Sequence, residues 1–470
     1  MKKGSFAGKK VLVMGLGRFG GGVDVAKFAC NCGAKVIITD LASVESLSDS
    51  IKQLEGFPDI EYHLGSHCAA DFERADIIVA NPAVPGDNEF LKLAEHLNKF
   101  ITSQINIFFE LCPATVIGVT GTNGKSTTAA LTAHLLRNTS RRAVWLSGNI
   151  GNEPLLATID QISSDDLVVL ELSSFQLEQL GQIKKAPRVA LLTNLTPNHL
   201  DRHGSFADYC TAKENIFKFQ ELNAPPYLPA VSIFNAEDEI ANEWFEKYRK
   251  EPGRICIKFS TDDVSGEIRQ QFGLPGRANL SNLAAAIAIA KHFGVTDEQV
   301  KTHLPEFKPL PHRLELIAEI NGIKWYNDSI STTPESAIAA LEAFEQPPII
   351  IAGGYDKGLT FGQLGEKIAQ KAKAAILIGQ TAGKIAEAIE QKRLTAENAE
   401  SAKKKNKVEV VESLGKAVDL ASRLAVSGDV VLLSPGCASY DMFDNFGHRG
   451  REFCRLVKEI RHGFTQINTD

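Results

Sequence analysis

The chain has 470 residues, enough for about three domains of ordinary size, so a small scaffold that depends on disulfide or metal staples is excluded. Apolar residues make up 44% and charged residues 23%, with 37 Gly and 19 Pro, a balance that is neither fibrous nor disordered. Lys and Arg number 51 against 57 Asp and Glu, a formal charge of −6 that argues against nucleic acid as a main partner.

Met1 to Phe6 leads into an apolar run from Val11 to Met14 without the longer apolar stretch and cleavage site of a signal peptide. No apolar run reaches the roughly 18 residues that a membrane helix needs. Of the 8 cysteines, Cys30 and Cys32 lie close together but lack the matching second pair of a zinc site. A cytoplasmic protein with free thiols, bound to neither membrane nor nucleic acid, is expected. The run Lys403 to Lys405 reads as a solvated loop or helix face.

Short β-branched runs alternate with helix-length segments, which predicts an α/β protein with parallel sheets covered by helices. Strands are expected at Val11 to Met14, Val36 to Thr39 and Ile77 to Ala80, the last closed by the turn residues Asn81-Pro82-Ala83-Val84-Pro85-Gly86. A second set follows at Val116 to Thr120, Leu167 to Leu172, Val189 to Leu192 and Val231 to Phe234, with an alanine-rich helix from about Asn279 to His292. Prolines 305, 309 and 311 between Leu304 and Pro311 predict a stiff, non-helical linker. A third set is expected at Ile323 to Tyr326, Ile349 to Ala352, Ala375 to Ile378, Glu409 to Val411 and Val430 to Leu433. This places three domains at 1–108, 109–311 and 312–470, the outer two Rossmann-like and the central one a P-loop type with a parallel sheet.

Gly15-Leu16-Gly17-Arg18-Phe19-Gly20 follows the first strand and opens a helix, and Asp40 ends the second strand. In that layout backbone N–H groups approach a phosphate at the positive end of a helix. The pattern is compatible with NAD, with another nucleotide or diphosphate, or with a merely tight β-to-α turn. Gly121-Thr122-Asn123-Gly124-Lys125-Ser126-Thr127-Thr128 is sharper: a phosphate loop in which Lys125 meets the β- and γ-phosphates of ATP and Ser126 ligates magnesium. The strict pattern is broken, because Val119 stands at the first glycine position and Gly121 comes two residues later. Glu171 ends another strand, where open α/β sheets bind ligands. The cluster Asn198-His199-Leu200-Asp201-Arg202-His203 is dense in metal-capable groups. By itself His199 reads as a loop histidine, and Lys213, by spacing alone, as a solvent-facing helix lysine.

Taken together, these motifs resemble the Mur ligases and, within them, the family that adds D-glutamate to UDP-N-acetylmuramoyl-L-alanine (MurD). The likeness runs through Gly121 to Thr127, Gly148-Asn149-Ile150-Gly151, Glu171-Leu172-Ser173-Ser174-Phe175-Gln176, Asn198 to Arg202 and Lys213. It continues in Asn279 and Asn282, Pro311-His312-Arg313, Tyr326-Asn327-Asp328-Ser329, Gly353 to Lys357 and Leu433 to Phe446. The resemblance implies catalytic roles for Lys125, Glu171, His199 and Lys213, the last as a carbamate. It implies magnesium on Ser126, Glu171, His199 and Lys213. ATP would be held by Gly121 to Thr127, Asn279, Asn282, Arg313 and Asp328, with Asp328 on the ribose. Gly17, Arg18, Phe19, Asp40, Asn81, Asn149 and Ser173 would hold the UDP-substrate, and His312, Thr332, Lys357, Ser439 and Phe446 D-glutamate.

The implied reaction proceeds through an acyl phosphate and supplies cytoplasmic peptidoglycan synthesis, with a monomer expected. Two positions depart from the family pattern. Ile330 stands where many members have a lysine after Asn-Asp-Ser, and Ala42 where many have an arginine near the acid matching Asp40. Rival readings are another ligase of the superfamily such as a folylpolyglutamate synthase, a non-catalytic nucleotide-binding regulator, and an NAD-dependent oxidoreductase.

Overall fold

The structure, a computed structural model, describes residues 2–18, 20–139, 141–150, 154–222, 229–396 and 406–467. Phe19, Gly151 and the Lys403 to Lys405 run lie outside the described residues.

The first sheet comprises β1 (Lys10–Met14), β2 (Lys35–Asp40), β3 (Glu61–Leu64), β4 (Ile77–Ala80) and β5 (Phe100–Thr102), all parallel, in the order β3-β2-β1-β4-β5. The second comprises β6 (Thr115–Thr120), β7 (Val144–Gly148), β8 (Leu167–Glu171), β9 (Val189–Leu192), β10 (Ala230–Asn235) and β11 (Arg254–Phe259). It too is parallel, in the order β11-β10-β9-β6-β8-β7. The third comprises β12 (Glu315–Ile320), β13 (Ile323–Asn327), β14 (Ile349–Ala352), β15 (Ala374–Leu377), β16 (Lys407–Val410) and β17 (Val430–Leu433), in the order β12-β13-β17-β14-β15-β16. This sheet is mixed, a departure from the all-parallel expectation, because β12 runs antiparallel to β13. The reason is the Asn321-Gly322 turn between them, both residues at positive φ (52° and 74°), the conformation that closes a tight hairpin.

Interior strands are apolar on both faces because helices cover both sides. The residues of β4, β8, β9, β14 and β17 are buried throughout. In the third sheet Ile350 and Leu432 join one core while Ile349, Ile351 and Leu433 join another, as the two-residue strand period requires. The linker departs slightly from expectation: Leu304–Glu306 forms a 3-10 turn, with Pro305 at a position where its missing N–H costs nothing.

The chain folds as two compact units, Met1–Ile268 with Ser281–Pro305, and Arg269–Leu280 with Glu306–Asp470. The first unit holds the first two sheets and a core shared between them, in which Val25 and Phe108 belong to the same cluster as Leu155 and Leu170. Asp24, on the helix Gly21–Asn31, fastens the two parts. Its carboxylate is 5% exposed and accepts hydrogen bonds from the backbone N–H groups of Leu155 (3.1 Å), Leu156 (2.7 Å) and Ala157 (2.9 Å) and from Gln104 (2.6 Å). Burial raises its pKa, and those four donors oppose the shift. No helix among the described residues is long and apolar enough to cross a membrane.

Candidate active site

In the second sheet, three adjacent strands, β8, β6 and β9, end side by side. Their carboxyl ends deliver Glu171, the loop Gly121 to Gly124, and Thr193-Asn194, at the edge where open α/β sheets receive ligands. The loop is held from β9. Asn194 O accepts from Thr122 N (2.8 Å), its side-chain oxygen accepts from Asn123 N (3.0 Å), and Thr193 Oγ1 donates to Asn123 O (2.6 Å). Only glycine fits at two of its positions. A Cβ on Gly121 (φ +144°) would lie 1.9 Å from Thr193 Oγ1, and one on Gly124 (φ +82°) 2.0 Å from Asn282 Oδ1. Asn282 therefore packs on the loop itself, and its side-chain oxygen also accepts from Thr128 at 3.4 Å. Lys125, Ser126 and Thr127 open the helix Lys125–Thr139, whose N-terminal N–H groups and dipole favour a phosphate. Lys125 Nζ donates to Thr122 O at 2.7 Å.

Glu171 is 2% exposed; Oε1 accepts from Asn149 Nδ2 at 3.2 Å, and Oε2 is buried with no hydrogen-bond partner among the described residues. Lys213, read by spacing as solvent-facing, is instead 1% exposed on the helix Phe206–Lys218. Its Nζ lies 3.3 Å from Thr120 Oγ1 and 4.8 Å from the centre of the Tyr209 ring. Burial drives its pKa well below the ordinary lysine value; the Lys125 charge adds to this and Glu171 opposes it. The setting, with a cation and a carboxylate at its flanks, favours the neutral amine. His199 sits at positive φ (52°) immediately before the helix Leu200–His203, its ring 5.4 Å from that of Phe175. Desolvation lowers its pKa; Asp201 opposes this, while Lys125 and Lys213 add to it, favouring the neutral imidazole that can ligate a metal.

In the first sheet the strand order reverses between β1 and β4, and Gly17 and Asn81 lie at their carboxyl ends. Asp40 Oδ2 accepts from Gly17 N (3.0 Å) and Oδ1 from Ala42 N (2.8 Å), while Asn81 Nδ2 donates to Gly15 O (3.3 Å). Arg18 is exposed beside this turn. Ser173 caps the helix Ser174–Gln182 through a reciprocal bond pair with Gln176.

In the second unit Asp328, Lys357 and Ser439 follow the carboxyl ends of the neighbouring strands β13, β14 and β17. Asp328 is 4% exposed and accepts from Leu314 N (3.1 Å), Ser434 Oγ (2.8 Å) and Ser331 Oγ; burial raises its pKa to about 6 despite these bonds. His312 Nδ1 lies 2.9 Å from Asn327 Nδ2, so the ring accepts there, and the His312 ring meets Phe446 edge-on. Arg313 flanks Asp328 electrostatically, and Asn279 donates to Pro275 O at 2.8 Å. Ser439 is buried and Thr332 half-buried. The Lys357 ammonium has no carboxylate partner among the described residues and stands 5.4 Å from the centre of the Tyr440 ring.

Sequence reasoning missed Arg449. It is fully buried and donates to Ser329 Oγ (3.0 Å), Ser329 O (2.9 Å), Cys437 O (3.0 Å) and Ala438 O (3.3 Å), joining the chain after β13 to that after β17. Burial lowers its pKa to about 10, so it stays charged at neutral pH. Nothing in the local pattern marks it. Tyr209 was legible in principle, since it stands four residues before Lys213 on one helix face.

Residues 119–290 match the family model of the Mur ligase middle domain, and residues 312–437 that of the Mur ligase glutamate ligase domain. The chain is 39% identical to the UDP-N-acetylmuramoylalanine–D-glutamate ligase of Roseiflexus sp. (strain RS-1), over 97% of this chain and 99% of that protein. It is 37% identical to the enzyme of that name from Acetivibrio thermocellus, over 96% of this chain and 97% of the other. The fold is also that of the UDP-N-acetylmuramate-alanine ligase MurC of Thermotoga maritima, with a TM-score of 0.59 at 19% identity over 96% and 99% of the two chains. MurF of the same organism, solved with ADP, gives 0.54 at 18% identity over 97% and 96%. With this identity sustained over nearly its whole length, the chain belongs to the family of UDP-N-acetylmuramoylalanine–D-glutamate ligases.

Proposed function

We propose that this protein joins D-glutamate to UDP-N-acetylmuramoyl-L-alanine while ATP is converted to ADP and phosphate, in the cytoplasmic supply of peptidoglycan precursors. The observation that carries the reading is the convergence of a phosphate loop and a buried carboxylate with one open oxygen at the ends of adjacent strands, with the buried Lys213 reaching in from a helix to Thr120 at the end of β6. In this reading residues 1–108 take the UDP-substrate, 109–311 ATP and 312–470 D-glutamate, and the protein acts as a monomer.

The first obstacle is electrostatic, since a carboxylate must attack a polyanionic triphosphate. The loop N–H groups and Lys125 offset the charge of the β- and γ-phosphates. Alanyl carboxylate oxygen bonds to the γ-phosphorus as the bond to ADP breaks, giving an acyl phosphate. The amine of D-glutamate then attacks its carbonyl carbon, phosphate departs and the amine proton is lost. The open Glu171 Oε2 and the Ser126 hydroxyl are hard oxygen donors that would suit magnesium, and His199 and Lys213, the latter once carbamylated, would complete the donor set. Bound there, the ion would neutralise phosphate charge. Gly17, Asp40 and Asn81 hold the diphosphate turn in shape, with Arg18 offering a cation and Asn149 and Ser173 lying nearer the reacting end. Asn279, Asn282, Arg313 and Asp328 take the nucleoside part of ATP. Oxygen-18 placed in the alanyl carboxylate is expected to appear in released phosphate; its absence would exclude the acyl phosphate.

His312, Thr332, Lys357, Ser439 and Phe446 receive D-glutamate. Here the departure at Ile330 matters: the residue is half-buried, its N–H bonded to His312 O at 3.1 Å, and it stands where the resemblance leads one to expect a lysine, so one cation is missing there. A partly exposed charge contact contributes about 1 kcal/mol, or several-fold in affinity. Ile330→Lys is therefore expected to lower the KM for D-glutamate several-fold while the KM for ATP stays unchanged. An unchanged or raised value would mean that Lys357 or His312 already satisfies the acceptor.

A further inference from the structure

The segment after β4 contains Pro82 and Pro85, which have no N–H to donate, and three of its successive carbonyls converge on one side chain. Arg202 Nη1 donates to Ala83 O at 2.6 Å, and Nη2 donates to Val84 O at 2.7 Å and Pro82 O at 3.4 Å. The guanidinium carbon lies 5.1 Å from the centre of the Phe175 ring. That ring also packs against His199 (5.4 Å between centres) and stacks on His203 (5.1 Å, planes 9° apart). His203 is fixed in turn by Ser174 Oγ at 2.9 Å and Glu178 Oε1 at 3.1 Å. At the other end of the segment, Asn81 N donates to Met14 O (2.9 Å) and Asn81 Nδ2 to Gly15 O (3.3 Å). A continuous set of contacts thus runs from the glycine turn of the first sheet to the histidine beside the phosphate loop of the second.

We infer that Arg202 is a positioning residue for the ligation, one that sets the register between the glycine turn, where the UDP-substrate is held, and the part of the second sheet that carries His199 and the phosphate loop, where its alanyl carboxylate reacts. The inference rests on the proposed function above. The substrate spans both parts of the unit, so its carboxylate reaches the γ-phosphate only when the two are held at a fixed offset. Attack requires reacting atoms about 3–3.5 Å apart, and a misplacement of about 1 Å can cost on the order of 100-fold in rate. A planar guanidinium spreads its donors in a fixed fork over three successive carbonyls, whereas the ammonium of lysine is one compact centre whose three donors rotate and fix no such alignment. These Arg202 donors are used on protein carbonyls, so removing them takes away alignment and leaves the substrate's own contacts in place.

The test is steady-state kinetics of Arg202→Met, which keeps an apolar stem over Phe175, and of Arg202→Lys, which keeps the charge. With UDP-N-acetylmuramoyl-L-alanine, ATP and D-glutamate, kcat is expected to fall about 10- to 100-fold in Arg202→Met. The KM values for ATP and the UDP-substrate are expected to stay near those of the native enzyme. Arg202→Lys is expected to keep a clear deficit in kcat, and serves as the test if the Met variant does not fold. A native kcat in either folded variant, or a raised UDP-substrate KM with kcat preserved, would overturn the positioning role. Failure of the ligase reading is distinguishable, because the native enzyme would then release no phosphate from the same substrates.

Discussion

Replacing Lys213 with alanine is expected to remove nearly all ligation, and short carboxylic acids such as acetate or propionate are expected to restore part of it. The reason lies in where the helix Phe206–Lys218 puts this side chain: 1% exposed, against the Tyr209 ring and Thr120 Oγ1, in a setting that favours the neutral amine. A neutral amine is the form that adds carbon dioxide. Nitrogen bonds to carbon, one proton is released, and a potential cation becomes an anionic oxygen donor facing Lys125 and the phosphate loop. An unmodified ammonium there would be desolvated and would meet the Lys125 charge, and the Glu171 carboxylate offsets these only in part. A small carboxylate diffusing into the space left by Lys213→Ala supplies similar oxygens without the covalent link. Native rates in the unsupplemented variant would show that Lys213 only fills the core.

Lys125→Ala is expected to lower kcat on the order of 1,000-fold, the scale on which loss of one preorganised stabilising group acts at a transferring phosphoryl group. UDP-substrate affinity is expected to stay within a few-fold of the native value. The separation follows from topology: Lys125 stands after β6 in the second sheet, whereas the turn made by Gly17, Asp40 and Asn81 belongs to the first. Titration calorimetry that found no UDP-substrate binding to a folded Lys125→Ala variant would contradict this division.

What the sequence disclosed follows the physics of burial. The strands read directly from it, such as Ile77 to Ala80 and Val430 to Leu433, are interior strands whose residues are all apolar. The strands it did not disclose, β3, β5, β7, β11 and β12, all stand at sheet edges. There one side is open and the composition is mixed, as in Arg254-Ile255-Cys256-Ile257-Lys258-Phe259. The β12–β13 hairpin carried a readable signal in Asn321-Gly322 between apolar runs. In the site, the phosphate loop was legible because its glycines and Lys125 are contiguous in sequence. Lys213 was legible only by resemblance, since its burial is produced by packing against β6 and Tyr209, distant in the chain or hidden in helix phase. Asp24 and Arg449 were not legible at all, because Asp24 meets backbone N–H groups 131 to 133 positions away and Arg449 joins carbonyls 11 and 12 positions before it to Ser329, 120 positions away.

Phosphate release measured with UDP-N-acetylmuramoyl-L-alanine, ATP and a panel of amino acids tests the account most directly. Release that depends on D-glutamate, with little from L-glutamate, D- or L-alanine or a diamino acid, is the predicted result, accompanied by a product heavier than the UDP-substrate by one glutamyl residue. Release driven equally by L-alanine or a diamino acid, or none with D-glutamate, would contradict it.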